Sequence, residues 1–284
     1  MKRRDCLEQR AARRSGASEA DLSSSAEIRV LTTPQELFAA AAEEVVRLTN
    51  QAVAEHGRFT IALSGGSTPK SLYNLLATNA RTALPWDRMY FFWSDERHVL
   101  PTDPDSNYRM ADEAMLSKVP VPPGNVFRFP TENPDAAAVA KEYESTLRKS
   151  FQLEPGQLPR FDLILLGMGP DGHTASLFPG TAGLQEKSRL VIANWVEKLK
   201  THRLTFTLPV LNAAQSVAFL VSGTDKAPVL KAVLEEKVPG EQYPAKLVQP
   251  TDGKLTGFWI EPRPVDYLSR NEYRGGHGVY REKN

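Results

Sequence analysis

The segment Phe161–Gly180 constrains the fold of this 284-residue chain more than any other part of the sequence. It joins an apolar run, Leu163–Leu166, to a glycine-rich turn that presents Asp171 and His173. A strand that is apolar on consecutive residues is buried on both faces, as in a parallel sheet covered by helices. In open sheets of that kind, ligands bind where loops leave the carboxyl ends of the strands. His173 is therefore a candidate acid/base group near neutral pH.

A second apolar run, Phe59–Leu63, leads into the glycine-rich stretch Ser64–Lys70. Its two glycines open a turn, Ser67 or Thr68 is expected to cap the following helix, and Pro69 suits the first helical position. Backbone amides at such a helix start, with the helix dipole behind them, bind phosphate. An ordinary strand–turn–helix connection has the same pattern, so this stretch alone does not decide between the two interpretations.

Two more predicted strands end in segments that carry cations. Met89–Trp93 is followed by Arg97, and Val217–Val221 is followed by Lys226. Each cation taken singly is typical of a solvated surface. Polar or glycine-rich loops at the ends of all four strands together favour a pocket for a small phosphorylated ligand, with His173 placed over it.

Predicted strands and helices alternate along the chain, which is the signature of parallel β-α-β units. Pro34–Glu55 is predicted to form a helix, with Thr33 as its cap and Gly57 beyond its end. Further helices are predicted over 106–117, 134–151 and 227–234, and shorter strands over 189–193, 204–207 and 257–260. The expected fold is α/β, a single open, mainly parallel twisted sheet with helices on both faces, as in Rossmann-like proteins.

The two ends of the chain have a different composition. Residues 1–26 are rich in Arg, Ser, Ala and Glu without apolar periodicity, and residues 269–284 are polar and glycine-rich. We therefore predict a flexible extension over 1–26, one domain over 27–268 and a flexible tail over 269–284. The sequence does not assign a role to either end.

Composition limits the classes of partner. The formal net charge of +1 gives no general attraction to nucleic acid or to an anionic membrane, and no run is long and apolar enough to span a bilayer. The single cysteine, Cys6, supports neither a disulfide framework nor a metal site. No metal, cofactor, nucleic-acid or membrane partner is expected, and a cytoplasmic location is the default. The pattern makes no prediction of oligomeric state.

The turn after the predicted strand Leu163–Leu166 also contains glycines at the spacing of the dinucleotide-binding fingerprint. Gly167, Gly169 and Gly172 satisfy G-x-G-x-x-G after a strand. That fingerprint must open a full helix whose amino end holds the pyrophosphate. Pro179 and Gly180 interrupt the chain too soon for such a helix. A nicotinamide-dependent enzyme is therefore disfavoured.

The order of motifs resembles that of the 6-phosphogluconolactonases. The Gly-Pro-Asp-Gly-His block is the specific part, whereas the Ser-Gly-Gly-Ser block is shared with sugar-phosphate isomerases and deaminases of similar fold. The resemblance runs from about residue 27 to residue 262 and rests on Ser64–Pro69, Ser94–Arg97, Ser106–Met110, Gly167–Pro179, Arg203–Ala214 and Gly223–Ala227.

The resemblance implies a fold of the NagB type and a defined reaction. The expected activity is hydrolysis of 6-phospho-D-glucono-1,5-lactone to 6-phospho-D-gluconate, the second step of the oxidative pentose phosphate pathway, without a cofactor. His173 is expected to take a proton from the attacking water and to return one to the departing ring oxygen. Asp171 is expected to orient the imidazole or to hold the turn.

The same resemblance implies a site for the substrate phosphate. The expected ligands are the backbone amides of Gly65, Gly66 and Ser67 together with Lys226, while Arg203 is a weaker candidate. Arg97 is expected either to grip the phosphate or to polarise the carbonyl, and the sequence leaves both roles open. An anchored phosphate would hold the reacting carbon in place.

Two other functions are compatible with parts of the sequence. Glucosamine-6-phosphate deaminases are similar at Asp95 and around the histidine, but they carry an acidic residue five positions beyond it, where this chain has Phe178. The missing acid favours the lactonase. A non-enzymatic sugar-phosphate sensor would need a DNA-binding module, and the segment before Glu27 is too short and aperiodic for a helix-turn-helix.

Several polar residues near the motifs have ordinary interpretations beside the functional ones. Asp95 and Glu96 form either an acid/base pair or a counter-charge for Arg97. Capping and packing suffice to explain Asn107. His98 adjoins the Arg97 segment and is a minor candidate for ligand contact.

Overall fold

The computed structural model describes residues 26–235 and 239–260. Nearly all of the predicted amino-terminal extension and the whole predicted tail lie outside these residues, so the proposed boundaries at 26 and 268 stay predictions. No helix among the described residues is long and apolar enough to cross a membrane.

The described residues form nine strands and six α-helices. The strands are β1 (Glu27–Leu31), β2 (Phe59–Leu63), β3 (Met89–Trp93), β4 (Asp95–Arg97), β5 (Leu163–Leu166), β6 (Val191–Val196), β7 (Thr201–Phe206), β8 (Ser216–Val221) and β9 (Lys254–Ile260). The helices are α1 (Pro34–His56), α2 (Ser67–Thr78), α3 (Asn107–Ala114), α4 (Ala136–Ser150), α5 (Leu208–Asn212) and α6 (Ala227–Glu235).

Six strands form one parallel sheet in the order β1-β9-β8-β5-β2-β3. Every residue of β2 and β5 is buried, which confirms the interpretation of their apolar runs. The predicted α/β fold with an open, mainly parallel sheet is therefore confirmed. The strand order changes direction at β2, because β3 lies on one side of it and β5 on the other. β5 therefore lies between β2 and β8, and the loops that follow these three parallel strands leave the sheet at the same edge.

A second, three-stranded antiparallel sheet has the order β4-β7-β6. The prediction of a single sheet did not include it. Residues 95–97, predicted to lie in a loop at the end of β3, are instead a strand that pairs with Arg203–Thr205. The pairing joins segments far apart in the sequence, so no local pattern reveals it.

Helices cover both faces of the parallel sheet, as predicted. Phe92 and Trp93 are neighbours in β3, so their side chains point to opposite faces. The ring of Phe92 packs on Phe151, directly after α4, whereas the ring of Trp93 packs on Tyr108 of α3. Consequently α3 and the end of α4 lie on opposite sides of the sheet.

The predicted ends of α1 are confirmed. The Thr33 hydroxyl accepts a hydrogen bond from the Glu36 amide at 3.2 Å, and Pro34 occupies the first turn. Gly57 ends the helix in the left-handed region with φ of +81°.

The predicted start of α2 is wrong. The helix begins at Ser67, and Gly66, with φ of +107°, occupies the cap position without any side-chain cap. Thr68 instead uses its hydroxyl to reach Ser222, 2.6 Å away in the loop after β8. The first amides of α2 therefore have no capping side chain, which suits the predicted anion site.

Candidate active site

Three loops meet at the carboxyl edge of the parallel sheet. They follow β2, β5 and β8, which are neighbours in the strand order, and comprise residues 64–68 (with the start of α2), 167–178 and 222–226. The hydroxyl–hydroxyl hydrogen bond between Thr68 and Ser222 joins the first and third loops. The structure thus brings together the glycine loop, the histidine loop and the loop of Lys226, as the sequence predicted.

His173 and Asp171 form a hydrogen-bonded pair in the middle loop. Nδ1 of His173 lies 2.5 Å from Oδ1 of Asp171, and the same oxygen accepts the His173 amide at 3.3 Å. Asp171 therefore both holds the turn and orients the imidazole, the two roles left open by the sequence. Because Nδ1 faces the carboxylate, Nε2 is the nitrogen left for proton transfer.

Glycine is required at two positions of this turn. A Cβ on Gly169 would lie 2.0 Å from Cε1 of His173, so the imidazole occupies the space that a side chain would need. Gly172 has φ of +74°, a conformation that other residues adopt at a cost. Gly169 therefore allows the close approach of the imidazole to the backbone, and Gly172 allows the left-handed conformation of the turn.

Lys198 and Phe178 complete the surroundings of the pair. The ammonium of Lys198 binds Oδ2 of Asp171, the oxygen that His173 does not use. The rings of His173 and Phe178 stack with centroids 4.1 Å apart, and Nζ of Lys198 lies 4.6 Å from the Phe178 centroid. Partial burial works to raise the pKa of Asp171, but the hydrogen bonds from His173 and Lys198 outweigh it and hold the pKa well below its ordinary value.

The glycine loop is shaped for a close backbone approach. A Cβ on Gly65 would lie 1.9 Å from the amide oxygen of Asn107, so only glycine fits there. Gly66 is in the positive-φ region, and Ser67 opens α2. The Lys226 ammonium donates to the Ser222 carbonyl at 3.1 Å and lies 3.8 Å from Asp225.

Asp95 connects β4 to the histidine loop. It is buried, and its Oδ2 accepts a hydrogen bond from the Ser176 hydroxyl at 2.8 Å. The side-chain amide of Asn107 donates to the Asp95 carbonyl at 3.0 Å. Burial raises the pKa of Asp95, against the Ser176 hydrogen bond and the positive charges nearby.

Arg97 and Arg203 are directly opposite each other in the antiparallel pair of β4 and β7. Like charges at opposed positions are destabilising unless an anion is shared. Burial first, and then the neighbouring charge of Arg97, lowers the pKa of Arg203. Arg97 donates to the Asp105 carbonyl at 2.5 Å, and no described carboxylate lies within ion-pair distance of Arg203. The β4–β7 pair therefore concentrates positive charge that no ion pair among the described residues balances.

Glu96 has a structural role and is not the counter-charge for Arg97. Its carboxylate accepts the amides of Asn107, Tyr108 and Arg97 at 2.7 to 2.8 Å, which fastens the start of α3 to β4. Burial raises the pKa of Glu96 to about 7 despite these hydrogen bonds. These hydrogen bonds direct the Glu96 carboxylate to backbone amides and not to Asp95, so the two acids do not form an acid/base pair.

The other sequence candidates have partners away from the site. His98 contacts the Asn133 carbonyl at 2.8 Å. No full helix follows Gly172, because the chain continues irregularly to a short 3₁₀ turn at Ala182–Gln185, so the dinucleotide fingerprint lacks its helix. Within the described part of the chain, no group of three or more His, Cys, Asp or Glu residues is placed to hold a metal ion.

Three contributors to the site were not recognised in the sequence: Lys198, Ser176 and the packing role of Asn107. Lys198 follows β6 in the small sheet, and its approach to Asp171 depends on the β6–β7 hairpin. Ser176 lies inside the motif Gly167–Pro179, and only its position three residues after His173 could have indicated a role in the site.

Comparison with known proteins gives consistent relatives. The family model described as glucosamine-6-phosphate isomerases/6-phosphogluconolactonase matches residues 32–257. The chain is similar to a 6-phosphogluconolactonase of Synechocystis, 46% identical over 234 residues that cover 82% of this chain and 94% of that protein. A 6-phosphogluconolactonase of Nostoc is 43% identical with the same coverage, 82% and 94%. The crystal structure of 6-phosphogluconolactonase from Thermotoga maritima superposes with a TM-score of 0.72 at 30% identity, covering 84% of this chain and 100% of that one.

Proposed function

Because the chain belongs to the glucosamine-6-phosphate isomerase/6-phosphogluconolactonase family, we propose that its site hydrolyses 6-phospho-D-glucono-1,5-lactone to 6-phospho-D-gluconate. The protein is a lactone-hydrolysing enzyme of the oxidative pentose phosphate pathway. The observation that carries this proposal is the His173–Asp171 hydrogen bond, found in a chain that also has an uncapped glycine loop and two opposed arginines.

At the reacting end, His173 acts through Nε2. The imidazole accepts a proton from water as the water oxygen attacks the lactone carbonyl, and it returns a proton to the ring oxygen as the carbon–oxygen bond breaks. Asp171 fixes the imidazole through Nδ1 and balances the imidazolium that forms. Such acid/base assistance contributes about a hundred- to ten-thousandfold in rate.

Arg97 is assigned to the carbonyl oxygen. It lies two residues beyond Asp95, and Asp95 is bonded to Ser176 in the histidine loop, so β4 is fastened to the reacting end of the site. A guanidinium placed beside the carbonyl stabilises the negative charge that develops on its oxygen. This assignment selects one of the two roles that the sequence left open.

The phosphate is assigned to the opposite end. The amides of Gly65, Gly66 and Ser67 and the ammonium of Lys226 provide hydrogen bonds and positive charge for it. Arg203, which lies opposite Arg97 in the β4–β7 pair, is assigned to the phosphate as its second cation, at the place where the two ends of the site meet. Its half-buried guanidinium has no carboxylate ion-pair partner among the described residues. Binding energy from the phosphate then holds the lactone carbon at His173.

Deamination of glucosamine 6-phosphate is not favoured. An acidic side chain five residues after the histidine would be needed, and Phe178 occupies that position with its ring stacked on the imidazole. An aromatic ring in contact with the histidine leaves no proton carrier there. The missing acid supports the lactonase activity.

The test is a pair of assays on the same preparation. The lactone is generated in situ with glucose-6-phosphate dehydrogenase, and 6-phosphogluconate is followed with its own dehydrogenase against the spontaneous hydrolysis rate. We expect acceleration with the lactone and no ammonia release from glucosamine 6-phosphate. Ammonia release without lactone hydrolysis would overturn the proposal in favour of the deaminase.

The compartment and the partners complete the proposal. The sugar-phosphate lactone is the small-molecule substrate, and the cytoplasm is proposed as the location on the composition of the chain, which has a single cysteine. The absence of a nucleic-acid partner stays a prediction from the net charge of +1. Fractionation of cells with an antibody against the protein checks the location.

A further inference from the structure

Lys198 contacts the histidine loop although it belongs to neither the parallel sheet nor the glycine-rich loops. It follows β6 and reaches across to Asp171 from the small antiparallel sheet. Its side chain is 52% exposed, so about half of it is covered by the protein. Lys198 and Asp171 both line an open groove of about 1080 Å³ beside the histidine loop.

The Asp171 carboxylate is shared between two partners. Oδ1 faces Nδ1 of His173, and Oδ2 receives the Lys198 ammonium. A carboxylate bound at both oxygens has a fixed plane, so Lys198 restricts the rotation of Asp171 and therefore of the imidazole that depends on it. Its ammonium also places a positive charge close to the histidine.

The base of the hairpin around Lys198 is well defined. β6 and β7 pair over six consecutive positions, from Val191 with Phe206 to Val196 with Thr201. Glu197 accepts the indole N–H of Trp195 at 2.8 Å and pairs with Lys200. Lys200 therefore lies in the same hairpin as Lys198 but is bound to a different acid, which makes it a matched control.

The charges facing His173 come from several elements. Asp171 belongs to its own loop, Lys198 comes from the β6–β7 hairpin, and the buried Asp95 comes from β4. Arg97 on β4 and Arg203 on β7 act on Asp95 from the same side. The two carboxylates favour a positively charged imidazole, and Lys198 opposes them through its contact with Asp171.

We propose that Lys198 is a positioning residue for the general base, holding Asp171 in place and offsetting its charge so that the imidazole accepts a proton from water at neutral pH. The effect on rate rests on the proposed lactonase function, whereas the effect on imidazole protonation does not. Removing the ammonium leaves the Asp171 charge without its second partner, which favours the protonated ring.

The experiment compares Lys198→Met, Lys198→Arg and Lys200→Met with the parent protein. In each, kcat and KM are measured across pH, and imidazole C–H resonances are followed by NMR, with His173→Gln to assign one signal among the five histidines. In Lys198→Met, the acid limb of kcat and the midpoint of the His173 signal should move upward by about half to one pH unit. Lys198→Arg retains the charge and should restore the parent profile.

The outcomes separate the possible failures. An acid limb and an NMR midpoint in Lys198→Met that match those of the parent and of Lys200→Met would overturn the inference. A rate that falls equally at every pH without a shift would also overturn it, because it would indicate only a structural role. A shifted NMR midpoint in a protein without lactonase activity would support the inference and contradict the proposed function.

Discussion

The two ends of the site are made by different kinds of structure. The phosphate end is a local strand–turn–helix segment, Gly65–Thr68, joined by Lys226 from a neighbouring loop. The reacting end draws on side chains of the small antiparallel sheet, namely Arg97 and Lys198, which meet the histidine loop from elsewhere in the chain. One end presents mainly backbone amides, and the other presents mainly ionisable side chains.

The electrostatics differ in the same way. Around the reacting end, burial raises the pKa of Asp95, and hydrogen bonds from His173 and Lys198 lower the pKa of Asp171 against the effect of burial. Displaced pKa values of this kind concentrate where chemistry occurs. The comparison teaches that binding and reaction are separable here, so variants at the two ends should change different kinetic parameters.

Removal of the imidazole should separate the two ends most widely. His173→Ala is expected to lower kcat about 10²- to 10⁴-fold with little change in KM, because it deletes the acid/base group and leaves the phosphate ligands intact. Steady-state kinetics in the coupled lactone assay measure both parameters. A near-parent kcat above the spontaneous rate would move the chemistry to another residue.

The next largest effect is expected from the turn under the histidine. Gly169→Ala places a Cβ where the imidazole lies and should lower kcat about 10²-fold by displacing the ring. Gly167→Ala is the matched control, since a Cβ there would have no atom within 4 Å. Equal losses of kcat in the two variants would show that general loop strain, not displacement of the imidazole, is responsible.

At the other end, Lys226→Ala should act on binding. Loss of one charge-assisted hydrogen bond to phosphate is expected to raise KM about 10- to 100-fold while kcat stays near that of the parent. Lys149→Ala, which removes an exposed cation from α4, provides the control for net charge. A fall in kcat without a change in KM would remove Lys226 from the phosphate end.

The smallest expected effect concerns the join between the first and third loops. Thr68→Val deletes the hydroxyl contact with Ser222 and should lower the free energy of unfolding by about 1 kcal/mol. Ser67→Ala should change it by less than about 0.5 kcal/mol, because Ser67 provides no cap for α2. Urea unfolding of both variants checks the order, and the reverse order would restore Ser67 as the cap.

What the sequence could predict follows from the range of each interaction. The ends of α1 were predictable because Thr33, Pro34 and Gly57 act within a few residues of the ends that they define. The contact between Asp171 and His173 was predictable for the same reason, because the two residues are only two positions apart in the sequence. The buried parallel strands were readable from consecutive apolar residues.

The remaining features depend on contacts between distant segments. β4 exists because Asp95–Arg97 pairs with β7. Three residues are too few to show the alternation of apolar and polar side chains that indicates a strand, so the sequence could not reveal this pairing. Glu96 was undecided because the amides that it binds belong to α3. The start of α2 was misplaced because the Thr68 hydroxyl binds Ser222 in another loop and does not cap its own helix.

The separation of binding from reaction is tested most directly by calorimetric titration of the product, 6-phosphogluconate, into His173→Ala and Lys226→Ala. Because the phosphate ligands are intact in His173→Ala, this variant should bind with the affinity of the parent, whereas Lys226→Ala should bind at least about 10-fold more weakly. Loss of affinity in His173→Ala together with parent affinity in Lys226→Ala would contradict the assignment of the two ends.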